Sequence, residues 1–372
     1  MPPWSLESLP GRVVFGAGVA RTALTAELER LGASRVLIVT TDRERARVDE
    51  LLAPAADRVA GTFTAVRQHV PTTTARAARE LAAALDADAV LAVGGGSSIG
   101  TAKAIALTTG RPIVAVPTTY AGSEMTPVWG LTEDGRKTTG RDPRVQPRTV
   151  LYDPELTVSL PAGVSAASGL NALAHAVEAF WAPGANPVTA VLAAEAIRAL
   201  AAGLPPVVAD GADLSARAEA LFGAYLAGSV FAVAGSGLHH KICHVLGGRY
   251  NLPHAETHAV VLPHVLAFNA PAVPAVARIA AALAAGTGSG ADGAAGTSAV
   301  AAVAGLAGRL GAPTSLAVLG LSTADIEDAV DEILPAVPPS NPRPVGRSDL
   351  VALLTAALAG PPDSMSTVEA LS

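Results

Sequence analysis

The sequence predicts a chain of two domains: an α/β domain with a parallel sheet wrapped by helices over residues 1–158, and an all-α domain over residues 159–372. Three observations carry that reading. Short β runs alternate with helical patterns through about the first 155 residues, the spacing of parallel strands joined by helical crossovers. Strand signals nearly vanish after Pro161. The second region also gathers seven of the eight histidines, six of them between Gly237 and His264.

The elements follow in order. Residues 12–15 (RVVF) read as a strand and 22–31 as a helix. Residues 35–40 (RVLIVT) form a buried strand, 48–55 a helix, 59–65 an extended run and 73–85 a helix. The apolar run 89–93 (AVLAV) enters GGGSSIG, a helix follows over 102–107, and 112–116 (PIVAV) is the next strand. Two further strands, 128–131 and 149–152, bracket the polar excursion TEDGRKTTGRDPRVQPR. It reads as a surface hairpin or loop whose five basic residues (Arg136, Lys137, Arg141, Arg144, Arg148) are candidate anion contacts. Helical patterns then cover 165–181, 187–202 and 214–241, NLP at 251–253 ends a helix before His254, and helices recur at 300–310, 323–334 and 348–358. Residues 284–297 are a Gly-rich loop, and the last ten residues read as frayed.

Composition narrows the function. A net charge of -6 and a pI near 5.8 argue against nucleic acid or an anionic membrane as partner, so an anionic ligand needs a local basic pocket. The longest apolar run, 221–238, is studded with Gly and Ser and reads as a core helix, not a membrane span. A single cysteine excludes an intrachain disulfide. No charged, then apolar, leader opens the chain, so the expected compartment is the cytoplasm. Lysine occurs only at Lys103, Lys137 and Lys241 among 26 basic residues, each within a motif singled out on other grounds.

The turn Gly94, Gly95, Gly96, Ser97, Ser98 lies between a buried strand and a helix. There glycines let backbone N–H groups approach phosphate oxygens and the helix N-terminus adds its positive end, although a tight turn alone would use the same residues. Pro117, Thr118 and Thr119 leave the next strand and could line the same nucleotide groove. Thr41 and Asp42 end RVLIVTTD, where a carboxylate meets an adenine ribose or caps the next helix, which leaves NADH against NADPH open.

His240 and His244 are one turn apart on a helix, and Asn171 precedes His175 by one turn. With His254 these residues have the look of a four-ligand metal cage in which one ligand is an amide. Asn offers only a neutral carbonyl oxygen, which weakens the hold on a divalent ion, so the expectation is a hydrogen-bonding pocket with no metal.

Taken together, GGGSSIGTAKAIAL, PIVAVPTTYAGSEMTPVWGLTEDGRKTTGRDPRVQPRTVLYDPEL, SGLNALAHAVEA, HHKICHVLGGRYNLPHAETHAVVLPH and NPRP resemble the iron-containing alcohol dehydrogenase superfamily, and more closely its maleylacetate reductase branch. The resemblance runs from about Leu9 to Ala359. It implies a dehydroquinate synthase-like fold with an N-terminal nucleotide-binding α/β domain and a helical C-terminal domain. In the metal-dependent members the ligands match Asn171 (Asp there), His175, His240 and His254. His244 matches a nearby active-site histidine, and Gly100 stands where those members carry Asp. Both departures are those of the reductase branch, which is reported to work without metal. The resemblance implies NAD(P)H-dependent reduction of maleylacetate to 3-oxoadipate, a late step in aromatic degradation, by a homodimer. Its substrate is a dianion, for which Lys137, Arg141, Tyr120, Asn171 and Asn341 are candidate contacts. His175, His240, His244, His254 and Lys241 are the candidate donors to the reacting atoms. A metal-dependent alcohol or polyol dehydrogenase on the same scaffold is the alternative.

Overall fold

The computed structural model describes residue 6 and residues 11–133, 136–288 and 298–360. Most of the Gly-rich stretch and the frayed terminus expected from sequence lie outside the described residues. The chain divides into two compact units, Ser8–Leu160 and Pro161–Ser372 with Met1–Glu7.

Among the described residues the first unit has eight strands: β1 (Arg12–Phe15), β2 (Val36–Val39), β3 (Val59–Phe63), β4 (Ala89–Gly94), β5 (Ile113–Pro117), β6 (Val128–Glu133), β7 (Arg136–Arg141) and β8 (Thr149–Tyr152). Its helices are α1 (Val19–Thr22), α2 (Leu24–Arg30), α3 (Arg45–Leu52), α4 (Thr72–Ala84) and α5 (Gly96–Thr109). Six strands form one sheet in the order β1-β8-β5-β4-β2-β3, all paired in parallel. A parallel sheet needs both faces covered, so its strands read as unbroken apolar runs. Val36 and Ile38 pack with Leu91, Val93, Val114 and Val116 on one face; Leu37 and Val39 pack with Val90, Ile99, Ile105 and Ile113 on the other. Each such side chain contributes about 1.5–3 kcal/mol when fully buried.

The strand order places a reversal between β2 and β4: the chain runs outward from β2 to β3, and the other way from β4 to β5. Ligands of open α/β sheets bind at such a reversal, beyond the carboxyl ends of the strands. Thr41 and Asp42 leave one of these ends and Gly94 to Ser98 the other.

The polar excursion, read from sequence as a surface hairpin or loop, supplies a strand of its own. β6 pairs with β7, drawn from the excursion itself, as an antiparallel hairpin. β8 instead enters the main sheet between β1 and β5.

The second unit contains α6 (Ala162–Glu178), α7 (Pro187–Ala209), α8 (Leu214–Ala234), α9 (Leu238–Arg249), α10 (His254–Asn269), α11 (Val276–Thr287), α12 (Ala299–Arg309), α13 (Ile326–Ile333) and α14 (Arg347–Ala359). Small residues let α7 and α8 touch backbone to backbone. A Cβ on Gly203 would lie 2.5 Å from the Ala220 nitrogen, and one on Gly223 would lie 2.9 Å from the Leu200 nitrogen. Among the described residues Pro187–Ala209 is the one unbroken helix long and apolar enough to cross a membrane, and it packs against α6, α8 and α11. The chain turns by 100° between α8 and α9, at Gly235, whose φ of 80° is left-handed and suits glycine.

Candidate active site

In the first unit the glycine turn has the shape its sequence suggests. Gly94 has φ 142°, which L side chains rarely adopt, and a Cβ there would lie 2.5 Å from Ser98 Oγ. A Cβ on Gly95 would lie 2.9 Å from Thr119 Cγ2, and the Thr118 N–H donates to the Gly94 carbonyl at 3.2 Å. Gly95 is the N-cap of α5, with no side chain capping it. The structure therefore brings Gly94, Gly95, Gly96, Ser97 and Ser98 together with Pro117, Thr118 and Thr119. This cradle fits the phosphates of a nucleotide: glycine keeps the backbone bare and the helix N-terminus faces the turn. Asp42 is exposed, and the N-cap of the following helix is Glu44, so Asp42 does not act as that cap.

Lys103, on the helix that leaves this turn, is buried and ties down the chain beyond Thr119. Its ammonium donates to the Ser123, Thr126 and Val128 carbonyls at 2.7–2.8 Å and to Thr126 Oγ1 at 2.9 Å. Burial pushes it down to about 7, with the Glu124 carboxylate pulling the other way. Tyr120 is fully buried in the same loop. Lys137 is half-buried opposite Thr132 on the hairpin, and burial lowers its ammonium. Arg141 lies exposed at the hairpin's end, paired with Val128.

The second unit assembles the histidines from three helices. His175 comes from α6; His239, His240 and His244 from α9; His254 and His258 from α10. The His240 ring stacks on His175 at 4.9 Å and meets His258 edge-on at 4.8 Å. His244 lies 6.2 Å from both His240 and His254, and His254 lies 4.5 Å from His258. Phe231 closes the group, 4.5 Å from His175 and 4.7 Å from His240. Burial holds the inner rings neutral. It pushes His175 down to about 4 and His239 to about 3, with His175 and His244 adding to the effect. His240 and His258 are pushed well down by burial and then by their imidazole neighbours. His244 and His254 are half-buried at the rim, as is Lys241.

Sequence reading missed Glu178. It ends α6, three residues after His175, and is fully buried. One carboxylate oxygen accepts the Gly237 N–H at 2.8 Å and lies 2.5 Å from His240 Nδ1; the other accepts the His239 N–H at 2.7 Å. Burial pushes this carboxyl up to about 7, while the N–H groups of Gly237, His239 and His240 and the Lys241 ammonium pull it down. The one available signal was that Glu178 is the sole charged residue in an Ala-rich helix.

Asn171 is buried one turn before His175. Asn341 sits elsewhere in this unit and exchanges hydrogen bonds with Asn269 at 2.9 and 3.1 Å, its amide also donating to the Arg343 carbonyl.

Comparison with known proteins matches both units to one family. The model of the iron-containing alcohol dehydrogenases fits residues 10–154, and that of the family's C-terminal part fits residues 165–358. The chain is 48% identical over 356 residues to the maleylacetate reductase of Sphingobium indicum, covering 96% of this chain and 97% of that protein. Two solved structures superpose closely. The iron-containing alcohol dehydrogenase of Corynebacterium glutamicum is 49% identical with a TM-score of 0.90, covering 97% and 98% of the two chains. The maleylacetate reductase of Agrobacterium tumefaciens is 42% identical with a TM-score of 0.89, covering 97% and 99%.

These findings overturn the expectation of a pocket with no metal. The family is iron-containing by description, and His239, Cys243 and His258 each place a ligand atom within 4.8 Å of the others. The donor chemistry fits a transition ion: neutral imidazoles and a cysteine thiolate are its usual partners, and since burial pushes the Cys243 thiol up, an ion would have to displace its proton. His175 Nδ1, His240 Nε2 and His258 Nε2 are buried ring nitrogens with no hydrogen-bond partner. His239 Nε2 and His258 Nδ1 lie 2.8 Å apart in a hydrogen bond, which an ion taking both nitrogens would replace. The sequence argument weighed one altered ligand, Asn171, and overlooked this second set beside it. The chain belongs to the iron-containing alcohol dehydrogenase family, on the branch that holds its maleylacetate reductases.

Proposed function

We propose that the chain reduces the C=C bond of maleylacetate to give 3-oxoadipate at the expense of NADH or NADPH, within aromatic degradation. The observation that carries this reading is the 356-residue match to the Sphingobium indicum enzyme, which is long enough to include both the glycine turn and the histidine set.

The chemistry asks for three things. The substrate is a dianion whose alkene is conjugated to a ketone, so two carboxylates must be held. Lys137 and Arg141 supply positive charge for them in a chain that is acidic overall. Hydride must reach the alkene carbon remote from the ketone; bound nicotinamide nucleotide supplies it. Gly94, Gly95, Gly96, Thr118 and Thr119 hold that nucleotide's phosphates, and Thr41 and Asp42 meet its ribose. The charge then arriving at the ketone oxygen needs fixed donors in a dry site. A transition metal held by His239, Cys243 and His258, or by the open nitrogens of His175 and His240, supplies Lewis acidity when bound. The inner rings are neutral, so the proton that ends on the carbon beside the ketone comes from the half-buried rim of His244, His254 and Lys241.

The test is nucleotide oxidation with freshly generated maleylacetate, run with and without a chelator, with the product identified. One 3-oxoadipate per nucleotide is expected. Turnover of simple alcohols or polyols with none of maleylacetate would favour a dehydrogenase on the same scaffold. We further expect a cytoplasmic homodimer, which mass by light scattering and cell fractionation would check.

A further inference from the structure

We propose that Glu178 is a positioning residue: its carboxylate, clamped on the start of α9, fixes His240 as a single tautomer with the proton on Nδ1, so that Nε2 always turns a lone pair into the site. The claim begins with the backbone. The first N–H groups of a helix have no partner within it, and α9 starts immediately after a 100° turn of the chain. Glu178 reaches across from α6 and accepts two of these groups, those of Gly237 and His239. Gly237 has to be small for this: a Cβ there would lie 2.6 Å from Glu178 Oε1. Both carboxylate oxygens thus face backbone N–H groups, which can only donate, and His240 Nδ1 lies 2.5 Å from Oε2.

Which imidazole nitrogen carries the proton is set by what the other nitrogen meets. The N–H groups that donate to both oxygens favour the anionic carboxylate against its burial, and an anionic oxygen at Nδ1 selects the Nδ1–H form. The opposite nitrogen, Nε2, is buried and has no hydrogen-bond partner, so nothing on that side competes. The ring cannot swing away, because His175 stacks on it at 4.9 Å and Phe231 lies against it at 4.7 Å. The same carboxylate therefore sets the direction of α9 and the chemical form of the histidine it carries. An open lone pair at Nε2 suits a metal ion or a hydrogen-bond donor equally, so the assignment does not depend on which is bound.

The experiment reads the tautomer directly, by nitrogen-15 NMR of histidine-labelled protein with the His240 signal assigned through a His240→Gln control. A proton on Nδ1 in the unmodified protein is expected; a proton on Nε2 would overturn the proposal, whatever the substrate proves to be. Glu178→Gln is then measured for tautomer, melting temperature and kinetics. An amide cannot accept at both ends, so the single Nδ1–H form should give way to the other form or a mixture. With it kcat should fall about 10- to 100-fold, as for the loss of a carboxylate behind a ligand histidine, with KM for nucleotide little changed. The kinetic part rests on the reductase reading; the NMR part does not. A variant that melts lower but keeps both the tautomer and kcat would make Glu178 a helix cap only, and would also overturn the proposal.

Discussion

Replacing Gly96 by Ala separates what the glycine turn does for folding from what it does for a ligand. Gly96 is the first residue of α5, and a Cβ there would meet only the Ala121 Cβ, at 3.8 Å, an ordinary contact. Alanine in a helix is favoured over glycine by up to about 1 kcal/mol, worth about 2–4 °C in melting temperature for a unit of this size. The variant should melt at the same temperature or slightly higher. The added methyl, however, occupies the space through which phosphate oxygens would approach the bare backbone. Overpacking of this kind costs about 1–3 kcal/mol, or about 5- to 150-fold in apparent affinity at 1.4 kcal/mol per decade. Initial rates against NADH and NADPH at saturating second substrate should show KM raised within that range. Gly94→Ala supplies the contrast: φ 142° and a Cβ 2.5 Å from Ser98 Oγ combine backbone strain of about 1–3 kcal/mol with a clash. It should lower stability itself. A Gly96→Ala enzyme with normal melting and unchanged KM for both nucleotides would refute the placement of the phosphates.

Three other outcomes follow from the geometry. Lys103→Met leaves the carbonyls of Ser123, Thr126 and Val128 without the donor they share; the cost should be about 3–5 kcal/mol, seen as a lower urea midpoint with an unchanged slope. Arg141→Met should raise KM for maleylacetate far more than it lowers kcat, and equal KM values would remove Arg141 from the site. In protein freed of metal, His175 has its pKa depressed from the usual 6.5 to about 4, so the unfolded chain takes up its proton first as the solution is acidified. The folded state should lose about 3 kcal/mol between about pH 6.5 and 4 and no more on this account below it. His175→Phe should flatten that part of the stability curve, measured by urea unfolding across pH.

The fold was legible where its cause is local. Buried strands such as Val36–Val39 and Ala89–Gly94 are continuous apolar runs because both faces of the sheet are covered, and a period so simple survives in a single sequence. Partners of strands do not. Thr149–Tyr152 joins Arg12–Phe15 across more than a hundred residues, and nothing in TVLY says which neighbour it takes. At the site, His175, His240, His244 and His254 could be found because histidine is rare in this chain. Glu178 could not, since its role comes from a turn that aims α9 back at the end of α6. The His239–Cys243–His258 set escaped for a related reason: His239 and Cys243 are one turn apart, but His258 arrives from the next helix.

The seam between α7 and α8 has a consequence for how this protein fails. Where main chains interlock at Gly203, and at Gly223 against the main chain and side-chain root of Leu200, there is little cushion of rotamers to take up a displacement. Such a joint is either seated or parted. α6, which carries His175, packs against both of these helices, so heat or denaturant should silence the centre abruptly, in step with loss of the helical unit, and not by gradual loosening of the rings.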